Sequence, residues 1–282
     1  YYQPVGPDVA FMKGEGARSE DELLRTRGRN APILTDLAAC DYGIVPTEYQ
    51  RSQFPPILAD KLKTLHDGVD VATYAPKPGA KLVLPNLDLS GASEIVTYVA
   101  RGMEPYRGFP EFMAAIAEVM RRRPEAHVVI VGEDRVAYGK KLPEGDSWKK
   151  RMLAQHSFDE KRLHFTGLIP RDQYLKVLQA SSVHVYLTVP FVLSWSMMES
   201  MSAGCVVLGS ETDPVKELIE DGKNGLLVDF YNVQAIARAI VRVLEDPEKY
   251  AGVRAAARRT IVEKYSAEDI YARKERMFAG EE

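Results

Sequence analysis

Residues 190–229 read PFVLSWSMMESMSAGCVVLGSETDPVKELIEDGKNGLLVD, and the order of patterns within them decides the fold class. A short loop leads into a helix pattern holding one acidic residue, Glu199. Then come the apolar run Val206-Val207-Leu208, a second helix pattern from Pro214, and a closing strand, Asn224-Gly225-Leu226-Leu227-Val228. Strands alternating with helices at these lengths predict an α/β protein with a doubly wound, Rossmann-like parallel sheet. At the start of the first helix, Ser194, Trp195 and Ser196 precede Met197, so backbone N–H groups lacking an intrahelical partner can meet an anion there. Glu199 sits slightly deeper, where a carboxylate can accept hydrogen bonds from two neighbouring hydroxyls. Taken alone, it is more simply a helix carboxylate at the edge of a core.

The same alternation extends upstream. Strands are predicted over 95–99, 127–132, 163–167 and 183–187, with helices over 109–120, 148–155 and 172–180. After Val228 the pattern turns helical, over 233–244, 247–264 and 267–277, with Ser266 a reasonable cap for the last. Before residue 95 lie a helix beginning within 16–30 and continuing to 38, a strand at 41–47, a helix over 48–53, a strand at 63–65, and a loop or small hairpin over 77–93. His66-Asp67-Gly68-Val69-Asp70 reads as a hinge, since Asp before Gly suits a tight turn with positive φ. The chain opens at Tyr1 without methionine and without the βαβ unit expected to begin an α/β domain, so it reads as a fragment or a processed chain.

The bulk properties exclude several classes. With 282 residues, 45% hydrophobic and 27% charged, the chain has the composition of a soluble globular protein. A net charge of -3 argues against a nucleic-acid binder, which needs a basic surplus. Arg121-Arg122-Arg123 reads as a solvated helix end, with peripheral membrane association left open. Two cysteines, Cys40 and Cys205, make no disulfide framework and fit a reducing cytoplasm. No apolar run approaches the roughly 20 residues that span a bilayer. His127 and His184 fall in apolar strands and read as packed, His156 and His164 lack partners at metal-ligand spacing, and His66 reads as structural. Trp195, apart from its place at the helix start, reads most simply as a core residue.

Met197-Met198-Glu199-Ser200-Met201-Ser202-Ala203-Gly204 and Pro214-Val215-Lys216-Glu217 resemble the fingerprint of the retaining GT-B glycosyltransferases of the group 1 (GT4) family, Leu-Leu-Glu-Ala-Met-Ala-x-Gly followed by a strand and a Pro-x-x-Glu helix. The resemblance implies a GT-B architecture. Residues 1–70 would be a partial N-terminal, acceptor-side Rossmann-like domain, 71–265 a complete C-terminal donor domain, and 266–282 a helix crossing back to the first lobe. In 100–108 the family's Arg and Lys correspond to Arg101 and Arg107, flanking a turn with Gly102, one residue longer than usual. Two such cations can converge on one diphosphate. Gly132 and Gly167 end strands at the same edge and suit backbone contacts to a nucleotide, with Ile169 the choice for a contact to the base.

One departure stands out. The family signature has two glutamates eight positions apart, and eight residues before Glu199 stands Phe191. Contacts to the sugar then fall to backbone amides or to Ser194 and Ser196, and sugar identity does not carry over. What remains implied is metal-free transfer, without a cofactor, from a nucleotide diphosphate sugar to a glycan, lipid or other hydroxyl acceptor with anomeric retention, in bacterial polysaccharide or glycoconjugate synthesis. The catalytic groups would be Arg101, Arg107 and Glu199. Two alternatives stay open: a non-catalytic nucleotide-sugar binding module, which the missing glutamate favours, and a GT-B sugar-nucleotide epimerase.

Overall fold

A computed structural model describes residue 2, residues 10–12 and residues 19–281. Residues 16–18, part of the expected start of the first helix, lie outside the described residues. That helix runs over Glu20–Ala39. The Ser19 hydroxyl accepts from the Glu22 amide while the Glu22 carboxylate accepts from the Ser19 amide, a reciprocal cap that satisfies two amides left over at a helix start. Strands β1 (Gly43–Val45) and β2 (Leu62–Thr64) pair in parallel, with short helices Glu48–Ser52 and Pro56–Ala59 between them. Strands β3 (Leu82–Leu84) and β4 (Leu87–Leu89) form the antiparallel hairpin.

The remaining strands make one six-stranded parallel sheet: β5 (Glu94–Gly102), β6 (Ala126–Glu133), β7 (Leu163–Gly167), β8 (Val183–Tyr186), β9 (Val207–Ser210) and β10 (Leu226–Val228). Their spatial order is β10-β9-β8-β5-β6-β7. The order therefore reverses between β5 and β8. The helices that follow these two neighbours, Phe109–Arg122 and Trp195–Ser202, pack on opposite faces of the sheet, and at such a reversal open α/β sheets take ligands.

Strand side chains alternate between two layers. Val96 and Tyr98 of β5, Val128 and Ile130 of β6, and Val183 and Val185 of β8 pack with Phe109, Phe112 and Ile240 from helices Phe109–Arg122 and Val233–Glu245. Their alternates face the other side, where Val129 and Val131 meet Leu82 and Val177, and Tyr186 and Val207 meet Met197, Met201 and Ile261. Strands β5 and β6 approach so closely that a Cβ on Gly132, whose φ is 140°, would overlap the Ala100 carbonyl oxygen. Only glycine fits there.

The segment 66–70 is held against residues 265–267. Gly68 has φ 85°, and a Cβ on it would lie 2.7 Å from the Ala267 backbone. Val69 forms a parallel bridge with Ser266, its amide donating to the Tyr265 carbonyl and its carbonyl accepting from the Ala267 amide. Ser266 occupies the cap position of helix Ala267–Ala279, but its hydroxyl makes no cap bond. Ile270 and Met277 of that helix pack on Leu65 beside Tyr42 and Ile44. The helix expected over 247–264 is divided into a 3-10 turn, Pro247–Tyr250, and helix Ala251–Lys264. Among the described residues, no helix is long and apolar enough to cross a membrane.

Strands β6 and β7 place His127 beside His164 with stacked rings and a 3.0 Å contact from Nδ1 to Nε2, and among the described residues no group of three His, Cys, Asp or Glu is placed to hold a metal ion. His184 is fully buried, its Nδ1 2.9 Å from the Thr97 hydroxyl. Burial pushes its pKa from 6.5 to about 3. The folded protein therefore keeps this imidazole neutral below pH 6.5, while the unfolded chain binds a proton. Stability is lost as pH falls from 6.5 towards 3, at a limiting slope of about 1.4 kcal/mol per pH unit from this group. Denaturant titrations between about pH 7 and pH 4.5 should show a shallower acid loss in His184→Gln than in the parent; equal slopes would show that His184 does not titrate on unfolding.

Candidate functional site

Two loops meet at the reversal point. Strand β5 runs through Arg101 and Gly102, so these two residues belong to the strand rather than to the loop inferred from sequence. The chain then turns through Glu104 into a 3-10 turn, Pro105–Arg107, and starts the next helix from Gly108 at φ 62°. A Cβ on Gly108 would lie 2.5 Å from Leu187, so this turn presses directly on the segment after β8. The Val189 amide donates to the Tyr106 carbonyl at 3.1 Å and locks the two segments together.

Arg107 lies inside this junction, only 5% exposed. Its Nη1 donates to the Tyr186 hydroxyl at 3.0 Å and to the Thr188 hydroxyl at 2.8 Å. The same Tyr186 oxygen accepts from the Ser194 amide at 2.7 Å. Ser194 caps helix Trp195–Ser202, its hydroxyl accepting from the Ser196 amide at 3.3 Å and lying 2.9 Å from the Ser196 hydroxyl. Rings of Tyr138, Phe191 and Tyr186 surround the guanidinium at 5.3, 5.5 and 5.9 Å. A permanent cation thus stands beside the positive end of a helix, and both favour an anion.

Glu199 lies in a second cluster. The Tyr174 hydroxyl donates to its carboxylate at 2.7 Å. Burial first, and then the Glu199 charge, raise the Tyr174 pKa well above its usual value, so the phenol keeps its proton and remains a donor. Arg171 donates to the Tyr74 hydroxyl at 3.3 Å and pairs with Asp70 at 3.4 Å. Glu199, Trp195, Tyr74 and Arg171 line a cavity of about 730 Å³ together with Asp67 and Asp70. Trp195 is 61% exposed, not a core residue. It stands at the first helical position, off the stripe of Met197, Met198 and Met201 that the helix buries.

The other expected residues separate. Gly132 and Gly167 line a smaller cavity of about 370 Å³ with Asp134, Arg135 and Lys149. Ile169 lines a third, of about 510 Å³, with Leu87 and His164. Arg101 is exposed and lines none of the three. Gly102 lies under residues 135–137, where a Cβ would come within 2.6 Å of the Arg135 carbonyl.

Residues 85–260 match the family described as glycosyl transferases group 1. The chain belongs to this family. Residues 1–74 match a glycosyl transferase family 4 group. The chain is 30% identical, over 68% of its length, to a phosphatidyl-myo-inositol mannosyltransferase of Mycolicibacterium smegmatis, covering 45% of that protein. It is 24% identical, over 95% of its length, to a GDP-mannose-dependent alpha-(1-6)-phosphatidylinositol monomannoside mannosyltransferase of Mycobacterium tuberculosis, covering 66% of it. The chain therefore spans about half to two thirds of these curated relatives. Among solved structures it resembles the Anabaena protein HepE in complex with UDP, with a TM-score of 0.74 at 20% identity over 96% of this chain and 70% of that one. It also resembles sucrose-phosphate synthase of Thermosynechococcus elongatus, with a TM-score of 0.72 at 22% identity over 97% and 65%. The fold is GT-B.

In this chain the family fingerprint has two structural duties besides carrying Glu199. Ser202 donates its hydroxyl to the Tyr74 carbonyl at 2.7 Å, tying the helix end to the linker. Glu217 accepts from the amides of Glu48 and Tyr49 at 2.9 and 2.5 Å, joining helix Glu48–Ser52 to the large sheet's domain. Phe191, at the position of the missing glutamate, is 6% exposed and stands edge-on to Tyr106 and Tyr138, with ring centroids 5.6 and 5.1 Å away.

Sequence reasoning missed Tyr186, Thr188 and Tyr174. Tyr186 was legible only as a residue of the strand predicted over 183–187; a phenol near the carboxyl end of a strand was the available signal. Tyr186→Phe leaves the buried Arg107 donor and the half-buried Ser194 amide without this acceptor. Denaturant unfolding should then show a loss of about 2 kcal/mol; a loss below about 0.5 kcal/mol would mean that the junction does not depend on this oxygen.

Proposed function

We propose that this chain binds a nucleotide diphosphate sugar in the crevice between β5 and β8 and transfers its sugar, with anomeric retention, to a hydroxyl of a glycan, lipid or other acceptor. The observation that carries this reading is the run Arg107–Tyr186–Ser194, which sets a permanent cation and a helix start side by side at the reversal of strand order. As the glycosidic bond breaks, its electron pair goes to the leaving diphosphate, whose charge grows. Arg107 and the helix start at Ser196 stabilise that charge, with Arg101 a second cation at the end of β5. Removing one such group typically costs a few kcal/mol, roughly a hundredfold in rate. These groups neutralise the diphosphate without a metal ion.

Glu199 accepts from the ribose hydroxyls, held by Tyr174 from the neighbouring helix. Backbone at Gly132 and Gly167, which line one cavity, follows the nucleotide, while Ser194, Trp195 and Ser196 border the sugar. GDP-mannose dependence in one relative and UDP-glucose bound to HepE support a nucleotide diphosphate sugar, and the phosphatidylinositol acceptors of the mycobacterial relatives support a lipid-linked or polyol hydroxyl. Such a reaction belongs to bacterial polysaccharide or glycoconjugate synthesis on the cytoplasmic side, with peripheral membrane association. A second reading, a binding module without transfer, is favoured by the burial of Phe191 where the family carries its sugar-side glutamate.

Thermal unfolding with UDP, GDP, ADP and their sugars is expected to show a raised midpoint with one nucleotide series. Arg107→Ala should weaken nucleoside diphosphate binding at least about tenfold more than nucleoside binding. Absence of stabilisation by every nucleotide, or equal losses for the two ligand types, would remove the diphosphate assignment. Binding with neither hydrolysis nor transfer would select the module.

A further inference from the structure

Glu104 is a wholly buried carboxylate one turn before Arg107. Its partners are three successive backbone amides: Ala137 at 2.8 Å, Tyr138 at 2.9 and 3.1 Å, and Gly139 at 2.7 Å. An anion is thus enclosed by a nest of N–H groups from residues 134–147, the segment between β6 and helix Trp148–Gln155. Two glycines permit the close approach. A Cβ on Gly139 would stand 3.2 Å from the Glu104 carboxylate, and one on Gly102 would stand 2.6 Å from the Arg135 carbonyl. A buried carboxylate stripped of these bonds is costly, so this stretch of the segment is held firmly.

The consequence falls on Tyr138. This residue is 39% exposed, yet its ring lies over the Arg107 guanidinium at 5.3 Å and edge-on to Phe191 at 5.1 Å. Tyr138 and Phe191 thereby flank the guanidinium, whose Nη1 is directed to Tyr186 and Thr188. We infer that Glu104 is a positioning residue of the diphosphate site: its carboxylate fixes the backbone of 137–139, which seats Tyr138 against Arg107 and holds the guanidinium toward the start of helix Trp195–Ser202. The inference rests on the reading that Arg107 meets the diphosphate. A cation held in place before the ligand arrives loses less freedom on binding, and a displacement of its fork weakens paired hydrogen bonds to phosphate.

The test is calorimetric titration of the chain with UDP and GDP, and with uridine and guanosine, in the parent and in Glu104→Gln, Tyr138→Leu and Arg107→Ala. Glu104→Gln and Tyr138→Leu should each lower the ratio of diphosphate to nucleoside affinity by about tenfold, with nucleoside affinity unchanged. A purely structural role for Glu104 would weaken both ligands alike. An unchanged ratio in Tyr138→Leu, whose side chain is partly exposed, overturns the inference even if Glu104→Gln does not fold. Should Arg107→Ala lower the ratio while Tyr138→Leu does not, only the positioning role falls. If Arg107→Ala also leaves it unchanged, the diphosphate reading falls with it.

Discussion

The phenolic oxygen of Tyr186 is the joint on which this candidate site turns. It accepts from a guanidinium on the segment after β5 and from the first amide of a helix cap on the segment after β8, so two loops that diverge from neighbouring strands share one acceptor. Neither donor is near the other in sequence. They meet because β5 and β8 are hydrogen-bonded neighbours, with Tyr98 opposite Val185, one residue before Tyr186. The order of the parallel sheet reverses between those strands, and Tyr186 ends β8 at the carboxyl edge, where such sheets take ligands.

A second set of polar contacts fastens the parts around the crevice. Arg258 donates through Nη1 to the Tyr74 carbonyl and to Ser202, and through Nη2 to the Val71 carbonyl, so one side chain pins the linker to the end of the helix that carries Glu199. The bridge between Val69 and Ser266 holds the preceding residues against the last two helices. Glu217 reaches across to the start of helix Glu48–Ser52, and the Tyr49 hydroxyl donates to the Pro190 carbonyl just ahead of Phe191. The position of helix Glu48–Ser52 is therefore coupled to the loop that carries Phe191.

Much of the fold was legible. Strands of apolar residues separated by amphipathic helices announced a parallel α/β sheet because burial on both faces leaves strands without polar alternation, whereas covering helices keep one wet side. The candidate site was legible only in part. Arg107 was expected as a loop cation, yet it is buried among Tyr138, Phe191 and Tyr186, since those rings arrive from three separate segments. Trp195 was read as a core residue from its type alone; the phase of the helix, with its methionines inward, turns the indole outward. The pairing of His127 with His164 depends on strand register, which no local pattern in either strand specifies.

Sequence alone therefore determined the α/β class, the parallel character of the strands, the turn at Gly68 and the helix bearing Glu199, because each depends on the periodicity of a short stretch or on the φ that a glycine allows. Only the tertiary structure decided that Arg107 and Ser194 share the Tyr186 oxygen, that Glu104 holds Tyr138 over the guanidinium, and that Gly132 must be glycine. Each of those facts is a distance between residues on different strands or loops. Such distances are set by the order in which strands pair, and strand order depends on the whole set of layers that must be buried together.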